Sequence, residues 1–67
     1  MSIAKITEIT AESPEGFEAA IRDGISRASK TLQNIQSVWI KDHEIELKNN
    51  QPQRYRVTMK LTFVLND

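Results

Sequence analysis

The chain contains no cysteine, a single histidine, one tryptophan, two glycines and two prolines among 67 residues. Without cysteine, no disulfide braces the fold and no thiolate is available as a metal ligand or nucleophile. The lone histidine, His43, cannot assemble a zinc site from the usual Cys and His ligands. With only Gly16 and Gly24 there is no glycine-rich phosphate loop, and no serine stands between glycines as at a nucleophile elbow. Charge of one sign is missing too: nine Lys plus Arg balance nine Asp plus Glu. The field that draws proteins to nucleic acid or anionic lipid is therefore absent on average. No apolar run approaches the ~20 residues that span a bilayer, and the start lacks the basic-then-apolar order of a secretory leader. These absences lead to the expectation of a cytoplasmic protein that is not an enzyme and engages neither nucleic acid nor membrane.

What remains is one domain, expected over residues 1–67. A chain this short buries only about 60% of the surface its unfolded form exposes, so its folding balance lies near zero. Disulfides and a zinc site being closed routes, self-association is the expected source of added stability.

Read in order, Ser2 to Thr10 (SIAKITEIT) is rich in Ile and Thr and suits a strand. Its alternation leaves the buried face open, since Ile3 and Ile9 share one parity while Ala4 and Ile6 share the other. AESPEG then reads as a helix start, with Ser13 as cap, Pro14 in the first turn and Glu15 at the positive end of the helix dipole. Phe17, Ala20, Ile21, Gly24, Ile25, Ala28 and Leu32 form the stripe of a helix buried on one face. Gly24 lies on that stripe at a cost of about 1 kcal/mol in propensity, which predicts that a neighbouring backbone passes close to it. From Ile35 a second strand begins, whose apolar parity changes between Val38 and Ile40 on one side and Ile45 and Leu47 on the other. That change predicts a β-bulge near Asp42 to Glu44. NNQPQ reads as the moderately long loop of a hairpin. From Tyr55 onward, Val57, Met59, Leu61, Phe63 and Leu65 alternate with Arg56, Thr58, Lys60, Thr62 and Val64 as a half-buried strand. The fold class is α+β, in the order β-α-β-β, with a three-stranded antiparallel sheet packed on one amphipathic helix.

The pattern holds no catalytic constellation. Asp42, Glu44 and Glu46 would share one face of a regular strand, either as a solvated face or as oxygen ligands for a hard cation such as calcium. Trp39, on the face away from the helix, reads as an interface anchor or as a platform for a flat ligand. His43 reads as a surface residue. The even face of the last strand is either a solvated surface or the lining of a cavity.

The opening IAKITEITAESPEGFEAAIRDGISRASKTLQNI and the close YRVTMKLTFVLND resemble the dodecins, small flavoproteins of archaea and bacteria, over essentially the whole chain. The Ser-Pro before the helix, the Ala-Ala-Ile that follows and the Arg-Ala ahead of Leu32 are its most family-like words. The resemblance implies a hollow homododecamer with helices outside and sheets facing a cavity. It also implies paired flavins, FMN or riboflavin, each stacked on a tryptophan and met at its polar edge by a glutamine. Aligned without gaps from Asn34, the stacking position falls at Ser37 and the glutamine at Arg56, while Glu46 matches an acidic position near the pocket. Serine offers no ring face, so stacking worth about 1 kcal/mol beyond burial is lost. Trp39 shares the parity of Ser37 and would reach the pocket through a slipped register. Some dodecins lack the tryptophan and bind calcium instead, and the chain resembles that branch. The expected function is non-catalytic binding and storage of a small ligand or ion. A flavin store and a ligand-free structural shell are the alternatives.

Overall fold

The computed structural model describes residues 2–65, so the outermost residues of the expected domain lie outside it. The order is β1 (Ile3–Ser13), α1 (Phe17–Ala28), β2 (Ile35–Lys48) and β3 (Gln51–Leu65). The sheet is antiparallel throughout and runs β1-β3-β2, placing the last strand at its centre. That position accounts for the clean alternation of β3: Val57, Met59 and Leu61 are fully buried and Phe63 nearly so. Ala20 of α1 packs onto Val57 and Met59, with Ile9, Ala11, Phe17, Ile21, Val38 and Ile40 around them.

Pairing resolves the open question in the first strand. Ile9 and Ala11 lie opposite Met59 and Val57 on the helix side, whereas Ala4 and Ile6 lie opposite Val64 and Thr62 on the other face.

The helix starts later than the Ser-Pro pattern predicts. Ser13 belongs to β1, paired with Tyr55, and its hydroxyl accepts the Glu15 N–H at 3.1 Å. It thus caps a turn, while Gly16 holds the helix N-cap at φ 146°. The strand ladder competes for Ser13 and wins, because pairing to the central strand satisfies its backbone. At the other end the helix closes at Ala28 and continues as turns, with Leu32 N–H bonded to Ala28 C=O at 2.9 Å. Asn34, at φ 60°, redirects the chain, and its carbonyl accepts the Val64 N–H at 3.1 Å.

Close approach at Gly24 is observed, but from side chains rather than backbone: a Cβ there would lie 2.5 Å from Met59 Cε and 3.0 Å from Ala11 Cβ. Gly24→Val is therefore expected to destabilise the protein by about 1–3 kcal/mol through overpacking, read by urea denaturation. An unchanged midpoint would mean that Met59 can vacate the site freely.

The parity change in β2 does produce a bulge, between Ile40 and Asp42 and so one residue ahead of the predicted window. The hairpin turn is shorter than expected. Lys48 pairs with Gln51, leaving only Asn49 (φ 54°) and Asn50 (φ 63°) as the turn. Two left-handed residues match the twist of a two-residue hairpin. Pro52 then lies within β3, tolerated because β1 has already ended and β3 is no longer flanked on both sides.

The protomer is extended, measuring 52 × 19 × 13 Å with a radius of gyration of 13.8 Å, against about 11 Å for a compact chain of this length. It exposes 5083 Å², about 750 Å² more than a compact monomer of the same mass. Among the described residues, no helix is long and apolar enough to cross a membrane.

Candidate functional site

The sheet face turned away from α1 carries every candidate ligand residue. Because antiparallel partners point to the same side, Ser37 opposite Thr62, Trp39 opposite Lys60, Asp42 opposite Thr58, Glu44 opposite Arg56 and Glu46 opposite Arg54 all belong to this face. The bulge makes that possible. It shifts the outward set from Ser37 and Trp39 before Lys41 to even residues after it, and since it precedes Asp42 the three acidic residues remain aligned. From β1 the same face receives Ile6, Glu8, Thr10 and Glu12, opposite Thr62, Lys60, Thr58 and Arg56.

The face divides into two halves. Toward the start of β1 it carries Ala4, Ile6, Val64 and Trp39, with Trp39 72% and Ile6 61% exposed. Toward the hairpin it is ionic and organised around one guanidinium. Arg56 donates from Nε to Glu12 at 2.9 Å, from Nη1 to Glu44 at 2.9 Å and from Nη2 to Glu46 at 2.9 Å. Arg54 donates to the other oxygen of Glu12 at 3.2 Å. Between the halves, Lys41 Nζ reaches across β3 to Glu8 at 3.3 Å.

The electrostatic consequence is mutual. Hydrogen bonds from Arg56, then Arg54, hold the Glu12 carboxyl below its ordinary 4.5. Donating to the carboxylates of Glu44 and Glu12 in turn reinforces the charged state of Arg56. Because the folded value of Glu12 is depressed, its contribution to stability is complete above 4.5 and is lost as pH falls through the lowered value. A carboxyl NMR titration is expected to place Glu12 below an ordinary glutamate, and Arg56→Ala to return it upward. A normal Glu12 midpoint in the unsubstituted protein would show that the clamp does not persist in solution.

Asp42 stands one position along from this network. Among the described residues, no group of three carboxylate, imidazole or thiol side chains is arranged to hold a metal ion; Glu44 and Glu46 are instead joined through Arg56. Nor does the face fit flavin in the manner the resemblance implies, because Ser37 has no ring and the Arg56 guanidinium is already bonded to carboxylates. His43, in β2, lies on the helix side with its ring centroid 4.7 Å from Phe17 in an edge contact, and it is exposed as expected of a surface residue. Sequence reading missed Glu12, Arg54, Glu8 and Lys41. Even-numbered acids in the first strand facing even-numbered bases in the last were the available signal, but it becomes legible only once the register is known.

Comparison with known proteins agrees along the length of the chain. The family model described as Dodecin matches residues 3–66. Dodecin from Streptomyces davaonensis is 38% identical, with a TM-score of 0.93 over 98% of this chain and 97% of that one. An arginine-to-alanine variant of the Thermus thermophilus dodecin is 28% identical, with a TM-score of 0.95 over 100% of both chains. The calcium dodecin of Mycobacterium tuberculosis, a calcium-chelating antigen, shares the fold at 20% identity with a TM-score of 0.85 over 97% of this chain and 93% of that one. No curated protein matches. With its β-α-β-β order, helix-covered sheet and family match over nearly the whole length, the chain belongs to the dodecin family.

Proposed function

We propose that this protein is a non-catalytic binding shell: a cytoplasmic, hollow homododecamer that stores or buffers a small ligand or ion, with a flavin site that has lost its stacking ring. The observation that carries this reading is the state of Arg56. At the position where the family resemblance calls for a flavin-reading glutamine, the chain has a guanidinium bonded to Glu12, Glu44 and Glu46, and at the stacking position it has Ser37 rather than an indole. Assembly is supported by the protomer's excess surface and by large apolar side chains left exposed.

For a cation at Asp42, Glu44 and Glu46, Arg56 is a competitor. Weak calcium binding is expected, rising at least about tenfold in Arg56→Ala, the effect of removing one charge about 5 Å from a divalent ion in a near-aqueous medium. Calcium titration calorimetry checks this, and equal affinity in both proteins would remove the acidic trio as the site.

A second reading is flavin storage through Trp39, favoured by the exposure of that ring on the ligand face. Titrating riboflavin and FMN into the purified protein, with mass followed by light scattering, separates the readings. A large oligomer without fluorescence quenching supports the flavin-free shell. Saturable quenching supports flavin storage, and a monomeric mass would sink the shell altogether.

A further inference from the structure

Between the apolar and ionic halves of the ligand face, one row sets Trp39 of β2, Lys60 of β3 and Glu8 of β1 side by side. Direct cross-strand partners hold their Cβ atoms about 4.5–5.5 Å apart. Trp39 is 72% exposed, and among the described residues no ring packs on it, the aromatic contacts being those of Phe17 with His43 and Tyr55. Lys60 is exposed as well and has no ion pair among the described residues, the carboxylate opposite it, Glu8, being held by Lys41 at 3.3 Å. In the next row toward the start of β1, Ile6 and Ser37 flank Thr62. An open indole and an uncompensated ammonium thus adjoin an apolar floor.

We propose that Trp39 and Lys60 bind a planar aromatic carboxylate, its ring stacked on the indole and its carboxylate paired with the Lys60 Nζ. The proposal deepens the binding reading above, on which it rests, by naming the ligand's class. Its site is not the stacking position that the family resemblance implies, which falls at Ser37 in the neighbouring row. All of its groups come from one chain.

The ring selects a flat partner, because aromatic stacking tightens binding about twofold to tenfold beyond the area buried. Charge selects the sign. An indole face by itself attracts cations, but Glu8 and Lys41 cancel each other, and Lys60 leaves the row positive. The opposing charge is Asp42, opposite Thr58 in the next row toward the hairpin, a diagonal neighbour of Lys60 at about 7–8 Å. Coulomb energy falls inversely with distance. A carboxylate touching Nζ at about 4 Å, on the Ile6 side and so farther still from Asp42, is attracted about twice as strongly as it is repelled.

Trp39 is the only tryptophan, so its fluorescence reports on this site alone. The assembled protein is titrated with 4-nitrobenzoate, a quencher of indole, and with the neutral 4-nitrobenzamide, while the fluorescence lifetime separates bound from collisional quenching. The acid is expected to bind at least about fivefold more tightly than the amide, the effect of one unit charge about 4 Å away in water, and to lose that advantage in high salt. Lys60→Met, at an exposed position and checked for folding by circular dichroism, is expected to make the two ligands equal. Glu8→Gln is expected to widen the difference, and cyclohexanecarboxylate, which has the charge but no flat ring, to bind more weakly by calorimetry. Equal affinity for acid and amide, a preference that survives Lys60→Met, or cyclohexanecarboxylate binding as tightly as the aromatic acid overturns the proposal. So does a Trp39 shielded from acrylamide in the oligomer, since a second copy would then cover the ring. A large oligomer that binds neither nitro compound overturns this site and leaves the shell standing, whereas a monomeric mass that still prefers the acid keeps the site and overturns the shell.

Discussion

Ser37→Trp is expected to tighten riboflavin and FMN binding at least about tenfold and to quench their fluorescence. An indole adds stacking of about 0.5–1.5 kcal/mol beyond the area it buries, and each 1.4 kcal/mol is a factor of ten. The new ring would stand opposite Thr62 on the face that already carries Trp39, at a position exposed in the protomer. Its gain is limited by Arg56, whose donors are turned to carboxylates. Arg56→Gln releases that edge, so the double substitution is expected to bind more tightly than either single one. Residues that touch one ligand couple rather than add. Fluorescence titration of the three variants decides the matter. No change in any of them would mean that the register linking this face to the family pocket is wrong, and Trp39→Ala would then test the rival platform.

Met59→Ala is expected to cost about 2–5 kcal/mol, as removal of a fully enclosed long side chain usually does. Met59 lies mid-strand in β3 between Ile9 of β1 and Ile40 of β2, and its terminal methyl fills the space that Gly24 leaves open. A core of this size seldom supplies more than about 3–5 kcal/mol in total. The variant protomer is therefore expected to be folded only while assembled, with an unfolding midpoint that falls on dilution. Urea denaturation at several protein concentrations measures this. A midpoint equal to that of the unsubstituted protein at every concentration would show that the centre of β3 does not govern stability.

Much of the fold was legible because single elements announce themselves through burial. The stripe from Phe17 to Ala28 and the alternation from Val57 to Phe63 follow from one-sided packing, and the phase change after Ile40 required an extra residue. Features that depend on who pairs with whom were not legible. The faces of Ile6 and Ile9 are set by pairing with Thr62 and Met59. Ser13 has the chemistry of a helix cap, yet the ladder to Tyr55 claims its backbone. The hairpin turn is short because Asn49 and Asn50 both accept left-handed geometry, which leaves Pro52 inside a strand. In the candidate site, the outward positions of Ser37, Trp39 and the acidic trio could be read from parity. The clamp on Arg56 could not, since two of its members, Glu12 and Arg54, come from separate strands and meet only through register.

The extra residue at Lys41 has a consequence for how this gene can change. Most of β2 is exposed, so its residues can be exchanged one at a time with little loss. Removing the codon for Lys41 would straighten the strand and turn nothing over, because Trp39, Asp42, Glu44 and Glu46 would then alternate regularly with Ile40, His43, Ile45 and Leu47. Removing the codon for Glu44 instead, with the bulge kept, would put Ile45 on the ligand face and Glu46 on the helix side. Descendants of this sequence that shorten β2 should therefore do so at the bulge, and a loss elsewhere in the strand would mark a protein with a different inner surface.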